Sequence, residues 1–396
     1  MAFPERFSNL PEYAFPRLRA LLDTHAPGAE PVNMTIGEPR HAFPDFVGAA
    51  IAESLADFGR YPTNEGTPEL LNAISRWVAR RYGVTLAHDR LMVLNGTREG
   101  LFNAALALIP EDKRGARPVV LIPNPFYQVY AVAALAAGAE PVFVPATAET
   151  GHLPDFASLP PEVLDRAVVA YLCSPANPQG SVASMDYLSN LLALAERHDF
   201  RVFSDECYAE IYRDTPPPGI LAVAQAEGAD PEKVVAFHSL SKRSNLPGLR
   251  SGFVAGGAAS IRAVRQLRNY AGAPLPMPLQ HAAAKVWDDE AHVVANRAAY
   301  NEKFALAADI FRGIQGYTTP AGGFFLWLPV PAEIGTGETA ALRLWREAGV
   351  RVLPGGYLGR AVDGVNPGDG YIRVALVTPL NEIARGLTAL RDTIYR

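Results

Sequence analysis

The segment Ser239-Leu240-Ser241-Lys242 places one primary amine directly after an apolar run, with Arg250 eight residues beyond it. The chain carries only five lysines (Lys113, Lys233, Lys242, Lys285 and Lys303), so 31 of its 36 cationic residues are arginine. Lys113 and Lys233 read as loop charges, and Lys285 and Lys303 as solvated side chains on helices. Lys242 is different, because it sits among hydroxyls and arginines. Neighbouring positive charge lowers an amine pKa and enriches the nucleophilic free base, which suits a Schiff-base lysine. Asp205 ends another apolar run, and a carboxylate buried there requires a cationic partner. Asn95-Gly96-Thr97 precedes a helical stretch. It reads either as a capped turn or as an anion site built from free N–H groups and a helix dipole. Asn177 before Pro178 reads alone as turn chemistry, and Tyr208 as core. Together, a phosphate cradle, a carboxylate and a Schiff-base lysine are the protein parts of a pyridoxal phosphate site.

The elements that must position these groups are short apolar runs: Leu91–Leu94, Val119–Ile122, Pro141–Val144, Ala167–Leu172, Arg201–Ser204, Val234–Phe237 and Gly252–Ala255. Helix-like stretches lie between them, among them Pro68–Tyr82, Glu99–Leu108, Tyr127–Ala137 and Met185–His198. Continuously apolar strands alternating with helices predict an α/β fold with a mainly parallel sheet. Ligands of such sheets bind beyond the carboxyl ends of the strands, where Gly96, Asn177, Asp205 and Lys242 all fall. After about residue 257 the alternation weakens, with a long helical region near 279–311 followed by sparse strands and helices, and a smaller α+β domain is expected. The Pro274-Leu275-Pro276-Met277-Pro278 stretch marks a rigid boundary. The expected division is a large domain over 45–275 and a small one from 1–44 plus 276–396.

A net charge of −5, with charges scattered, argues against a nucleic-acid binder. No apolar run approaches membrane-spanning length, and the opening Met1–Arg6 lacks the basic and apolar regions of a leader. Two cysteines, Cys173 and Cys207, cannot frame a disulfide scaffold and fit a reducing, cytoplasmic setting as buried structural residues. The eight histidines show no metal-ligand spacing, and no metal is expected. Ser239-Leu240-Ser241-Lys242 also matches S-x-x-K of serine acyl-enzymes, but the accompanying K-T-G element is absent.

The segment running from Ser239 to Phe253, joined by Asn177-Pro178, Asp205 with Tyr208, and Tyr371-Ile372-Arg373, resembles the class I/II aminotransferases. These are fold type I pyridoxal phosphate enzymes, and the resemblance spans nearly the whole chain. It implies a seven-stranded large-domain sheet. It also implies that Lys242 forms the Schiff base and shuttles the proton, that Asp205 keeps the pyridine nitrogen protonated, and that Asn177 and Tyr208 bond the ring oxygen. Gly96, Thr97, Ser239 and Arg250 resemble phosphate ligands, with Arg98 beside them. Tyr127 resembles the stacking aromatic, with Phe126 one residue away. Tyr61 resembles the tyrosine that reaches the neighbouring subunit's phosphate, which implies a homodimer with shared sites and no nucleic-acid or membrane partner. Arg373 resembles the arginine that grips the substrate α-carboxylate, with Gly37 and Asn177 beside it.

Within the family, Ile36–His41, Tyr61-Pro62-Thr63 and Ser241–Arg250 are most similar to the N-succinyldiaminopimelate aminotransferases of lysine synthesis. That branch moves an amino group from glutamate to N-succinyl-2-amino-6-oxopimelate. A substrate with distal carboxylates calls for further cations, for which Arg40 and Arg243 are candidates. The alternatives are an aspartate or aromatic aminotransferase, a C–S β-lyase and, from another class, a cofactor-sensing binding module.

Overall fold

The computed structural model describes residues 5–8, 10 and 12–396. Residues 1–4, on which the reading of the N-terminal opening partly rests, lie outside the described residues. Among those described, no helix is long and apolar enough to cross a membrane.

Seven strands form the central sheet: Leu91–Leu94, Val119–Asn124, Glu140–Pro145, Ala167–Cys173, Arg201–Asp205, Val234–Ser239 and Gly252–Gly256. In chain order of strands their spatial order is first, seventh, sixth, fifth, fourth, second, third. All pairings are parallel except the two made by Gly252–Gly256, which runs against both of its neighbours. Five of the seven are buried along their whole length, as strands covered on both faces must be.

Two apolar layers cover the sheet. One gathers the helices Pro68–Tyr82 and Met185–His198 over one face, and the other gathers Thr97–Leu108, Val129–Ala136 and Ala258–Ala271 over the opposite face. Local chemistry sets these helices. Thr67 caps Pro68–Tyr82 by accepting from the Leu70 N–H at 3.3 Å, proline occupies the first turn, and Gly83 ends the helix in the left-handed region at φ 68°. Leu70, Ile74, Trp77 and Val78 then share its buried face.

A second core gathers Val32, Met34, the helices Ala291–Ile310, Gly337–Ala348 and Leu380–Ile394, and the antiparallel strands Phe325–Pro329 and Tyr371–Ala375, with the strand Leu353–Pro354 pairing alongside Tyr371–Ala375. The helical region expected near 279–311 is two helices, Met277–Asp288 and Ala291–Ile310. The first of them buries Ala283, Ala284, Val286 and Trp287 in the large-sheet core beside Trp77. The second instead buries Tyr300, Phe304 and Ala307 in the other core.

Candidate active site

Leu94, Gly252 and Ser239 lie in one row of the sheet, and Cys173, Asp205 and Phe237 in another. Asn95-Gly96-Thr97, Asp205, Lys242 and Arg250 therefore leave the same sheet edge. Gly96 opens the helix Thr97–Leu108 with φ 80°. A Cβ there would fall against the Arg250 guanidinium, so glycine serves both the turn and the close approach. Arg250, itself left-handed at φ 58°, reaches across this turn. Its Nη2 donates to the Asn95 carbonyl at 3.0 Å and its Nη1 to Pro247 at 2.7 Å. Ser239 caps the short helix Leu240–Arg243 by accepting from the Ser241 N–H at 3.0 Å. Thr97 is buried against the Cys207 sulfur at 2.9 Å. The dipole end of a helix, free N–H groups and a guanidinium thus face one point, which is what a phosphate requires.

Asp205 is buried, and burial raises its pKa. It accepts from the Tyr130 hydroxyl at 2.8 Å and from the Cys207 N–H at 3.3 Å. Tyr130 stacks on Tyr171 at 4.4 Å, which fixes the carboxylate from behind. Among the described residues no lysine or arginine pairs with it. A buried carboxylate in this state lacks a cationic donor, and a pyridinium N–H is such a donor.

The Lys242 amine donates to the Gly37 carbonyl at 2.5 Å and lies 5.3 Å from the Phe324 ring centre and 6.0 Å from that of Tyr208. Burial first, with Arg373 and Arg250 adding repulsion, pulls its pKa down to about 8. The free-base share of the amine near neutrality is then far larger than for an ordinary lysine. Burial first, with Cys173, Cys207 and Asp205 adding to it against Arg373, pushes the Tyr208 hydroxyl well above its usual value, so it is a hydrogen-bond donor here.

Arg373 is buried with no acid in ion-pair reach among the described residues. Its Nη1 donates to Asn177 Oδ1 at 2.9 Å and its Nη2 to the Thr35 carbonyl at 2.8 Å, while its Nε is buried without a partner. It lies 4.2 Å over the Phe325 ring, and burial lowers its pKa to about 10. A guanidinium that has lost its water without gaining an anion is poised for a carboxylate. Gly37 is beside it, where a Cβ would meet Phe325 at 2.5 Å. The donor and acceptor set fits a phosphorylated pyridine aldehyde with an amino-acid carboxylate next to it.

Arg98 donates to the Tyr127 hydroxyl at 2.7 Å, and Tyr127 turns its edge to Tyr130 at 5.7 Å. Phe126 is buried against Phe143 at 4.9 Å, which leaves Tyr127 as the aromatic beside the cradle. Tyr61 is fully exposed, and no described residue bonds it. Arg40 is exposed near Gly37.

Arg243 corrects the expectation made for it. It is buried on the far side of its short helix, donates to the carbonyls of Val286 at 2.9 Å and Asp289 at 3.1 Å, pairs with Glu290 at 2.8 Å and lies over Trp287 at 5.0 Å. It satisfies the carboxyl end of the helix Met277–Asp288, a structural task. Lys303 corrects another expectation, being buried rather than solvated. Lys113 is held by the Asp199 carbonyl at 2.9 Å as well as those of Ala167 and His198. Lys285 pairs with Glu53 and Lys233 with Asp199, as surface charges do. Sequence reasoning passed over Tyr130, three residues beyond Tyr127 in the turn that opens the helix Val129–Ala136, and it passed over the Phe324–Phe325 wall.

Comparison with known proteins agrees with this geometry. Residues 29–390 match the family model for aminotransferase class I and II. An LL-diaminopimelate aminotransferase of Dehalococcoides mccartyi is 32% identical over 399 residues, covering 99% of each chain. The structure of an aminotransferase from Neisseria meningitidis superimposes with a TM-score of 0.93 at 37% identity, over 98% of this chain and 99% of that one. A probable N-succinyldiaminopimelate aminotransferase from Thermus thermophilus superimposes at 0.85 with 26% identity, over 96% and 100%. The chain belongs to the class I and II aminotransferases, enzymes that work with pyridoxal phosphate on amino acids and 2-oxo acids.

Proposed function

We infer that the chain exchanges an amino group between glutamate and a diaminopimelate-type substrate, one carrying a second carboxylate at its distal end. The observation behind the site assignment is the meeting of a low-pKa amine, Lys242, with a buried unpaired acid, Asp205, and a buried unpaired guanidinium, Arg373. When bound, pyridoxal phosphate supplies the electron sink that acidifies the substrate Cα–H. Arg373 takes the α-carboxylate through two N–H groups, and Asn177, already bonded to it, fixes the angle of approach. Lys242, freed from Gly37, accepts the Cα proton as general base and returns it as general acid. Asp205 holds the counter-charge at the ring nitrogen. Phe324 and Phe325 wall the site and exclude water from the proton path.

The name of the Dehalococcoides relative supports LL-diaminopimelate as the amino donor, whereas the Thermus neighbour supports the N-succinyl form. The former has the higher identity, and the free diamine is the first choice here. Arg40, exposed near Gly37, is the candidate for the distal carboxylate. A donor screen decides: glutamate, LL-diaminopimelate, its N-succinyl derivative, aspartate, an aromatic amino acid and cystathionine, each in a single half-reaction. Turnover of glutamate and LL-diaminopimelate supports the assignment. Turnover of the succinylated compound alone replaces it, and pyruvate with ammonia from cystathionine replaces transamination by elimination.

Tyr61 stands free in solvent, and Leu55 and Phe58 on the preceding turn are more than half exposed. Such residues are suited to burial against a second copy, which supports a homodimer that places Tyr61 at the neighbour's phosphate. The two unpaired cysteines fit a cytoplasmic enzyme.

A further inference from the structure

Lys303 is the one described lysine that is buried as a whole residue, and no described acid lies within ion-pair reach of it. It projects inward from the helix Ala291–Ile310 on the same face as Tyr300, Phe304 and Ala307. Its Nζ lies 2.6 Å from His41 Nε2, and the other ring nitrogen, His41 Nδ1, lies 2.9 Å from Asn296 Oδ1.

The hydrogen bonds fix where the protons are. Asn296 Nδ2 faces the carbonyls of Lys242 at 3.4 Å and Arg243 at 3.5 Å, so it is the donor side of the amide. Asn296 Oδ1 then accepts, both from Asn245 Nδ2 at 3.1 Å and from His41 Nδ1. His41 carries its proton on Nδ1 and accepts at Nε2 from the Lys303 ammonium. Burial and the Lys303 charge both keep the imidazole neutral, while burial pulls Lys303 down to about 8. Tyr300 closes the network, 4.6 Å from the His41 ring, and its hydroxyl has no partner.

This chain of bonds has a counterpart at the other end of the same segment. Asn245 also donates to the Ala42 carbonyl at 3.1 Å, and the Lys242 amine donates to Gly37 at 2.5 Å. The 37–42 segment is therefore tied to the 242–245 segment at three places: by the Lys242 amine at Gly37, by Asn245 at Ala42, and through Asn296 to His41, whose other ring nitrogen Lys303 holds. When Lys242 leaves Gly37 to do its chemistry, the ties at Ala42 and His41 remain.

We propose that Lys303 and His41 are positioning residues that hold the 37–42 segment, and with it the Gly37 wall of the substrate site, while the Lys242 amine is engaged elsewhere. The proposal goes beyond the assigned reaction and rests on Lys242 being the reacting amine.

The test compares wild type, Lys303→Met and Lys303→Arg as cofactor-loaded enzymes, by hydrogen exchange of peptides covering 37–42 and by kcat and KM for glutamate. Methionine keeps the stem's bulk and removes the donor, and arginine keeps a donor. The expected result is exchange at 37–42 faster by tenfold or more in Lys303→Met, a KM at least fivefold higher, and values within threefold of wild type in Lys303→Arg. Unchanged exchange at 37–42 in Lys303→Met overturns the proposal, because a packing role alone survives the change to methionine. Should that variant fail to fold, His41→Phe at a half-buried position removes the same acceptor, and unchanged exchange there overturns it equally. Faster exchange with unaltered kcat and KM overturns the link to substrate while leaving the tie itself, and cofactor labelling at an amine other than Lys242 marks failure of the underlying assignment instead.

Discussion

Asp205 and Glu206 are adjacent in the chain and point to opposite sides of the sheet, into two very different charge environments. Glu206 accepts from Tyr82 at 3.0 Å, Ser204 at 2.9 Å and the Ile220 N–H at 2.8 Å, and it pairs with His238 at 3.2 Å. Behind it Glu210 pairs with both Arg81 and Arg297, and Arg243 pairs with Glu290. These partners outweigh burial and hold Glu206 below the usual carboxylate range. On the other side Asp205, Lys242, Arg250 and Arg373 have no ion-pair partner among the described residues. The comparison teaches where function sits. The structural carboxylates Glu206, Glu210 and Glu290 are satisfied within the chain, and the charges of the site await the ligand's phosphate, ring nitrogen and carboxylate.

The contrast is sharpest if broken at Lys242. Lys242→Ala should lower single-turnover transamination about 10⁴-fold or more, since both the covalent tether and the proton carrier are lost. Asp205→Asn removes the counter-charge at the ring nitrogen and should cost about 10³-fold in kcat with little change in melting temperature, read by stopped-flow absorbance and calorimetry. Glu206→Gln should do the reverse. Breaking a saturated buried pair should lower stability by about 3 kcal/mol in urea titration, with kcat nearly unchanged. Arg373→Gln should raise the half-saturation for amino acids and cost about 10²-fold in kcat/KM, because one carboxylate contact is lost.

The smallest effect is on pH dependence. Lys242 and Lys303 both ionise near pH 8 in the folded chain, against 10.5 when unfolded. Between those values the unfolded chain holds more protons, so cofactor-free protein should gain stability as pH rises from 8 toward 10.5. Lys303→Met should flatten that rise in urea titrations at pH 8, 9 and 10, and an unaltered slope would assign it to other groups.

Much of this arrangement is legible in the residues. The seven apolar runs are the seven strands to within two residues at either end, and in five of them burial along the whole strand leaves no exposed position to blur the bounds. Pro68–Tyr82 and Met185–His198 match their expected bounds because Thr67 and Ser184 cap them and a left-handed residue ends each. The reversed direction of Gly252–Gly256 is not legible, since an antiparallel strand at this position is as apolar as a parallel one. Arg243 misled by adjacency: one helical step of about 100° turns it away from its neighbour Lys242 and into the core. Lys303 misled by residue type, although its spacing from Tyr300, Phe304 and Ala307 places it on the apolar face. The break at Asp289–Glu290 within the 279–311 region is set by tertiary packing, with Trp287 drawn into the large core.

The central claim is that Lys242, and not the equally depressed amine of Lys303, holds the cofactor. Borohydride reduction of the yellow holoenzyme, followed by peptide mass mapping, tests it most directly. The account predicts the reduced cofactor on the peptide bearing Lys242 and on no other. A label on Lys303, or an undiminished label in Lys242→Ala, would contradict it.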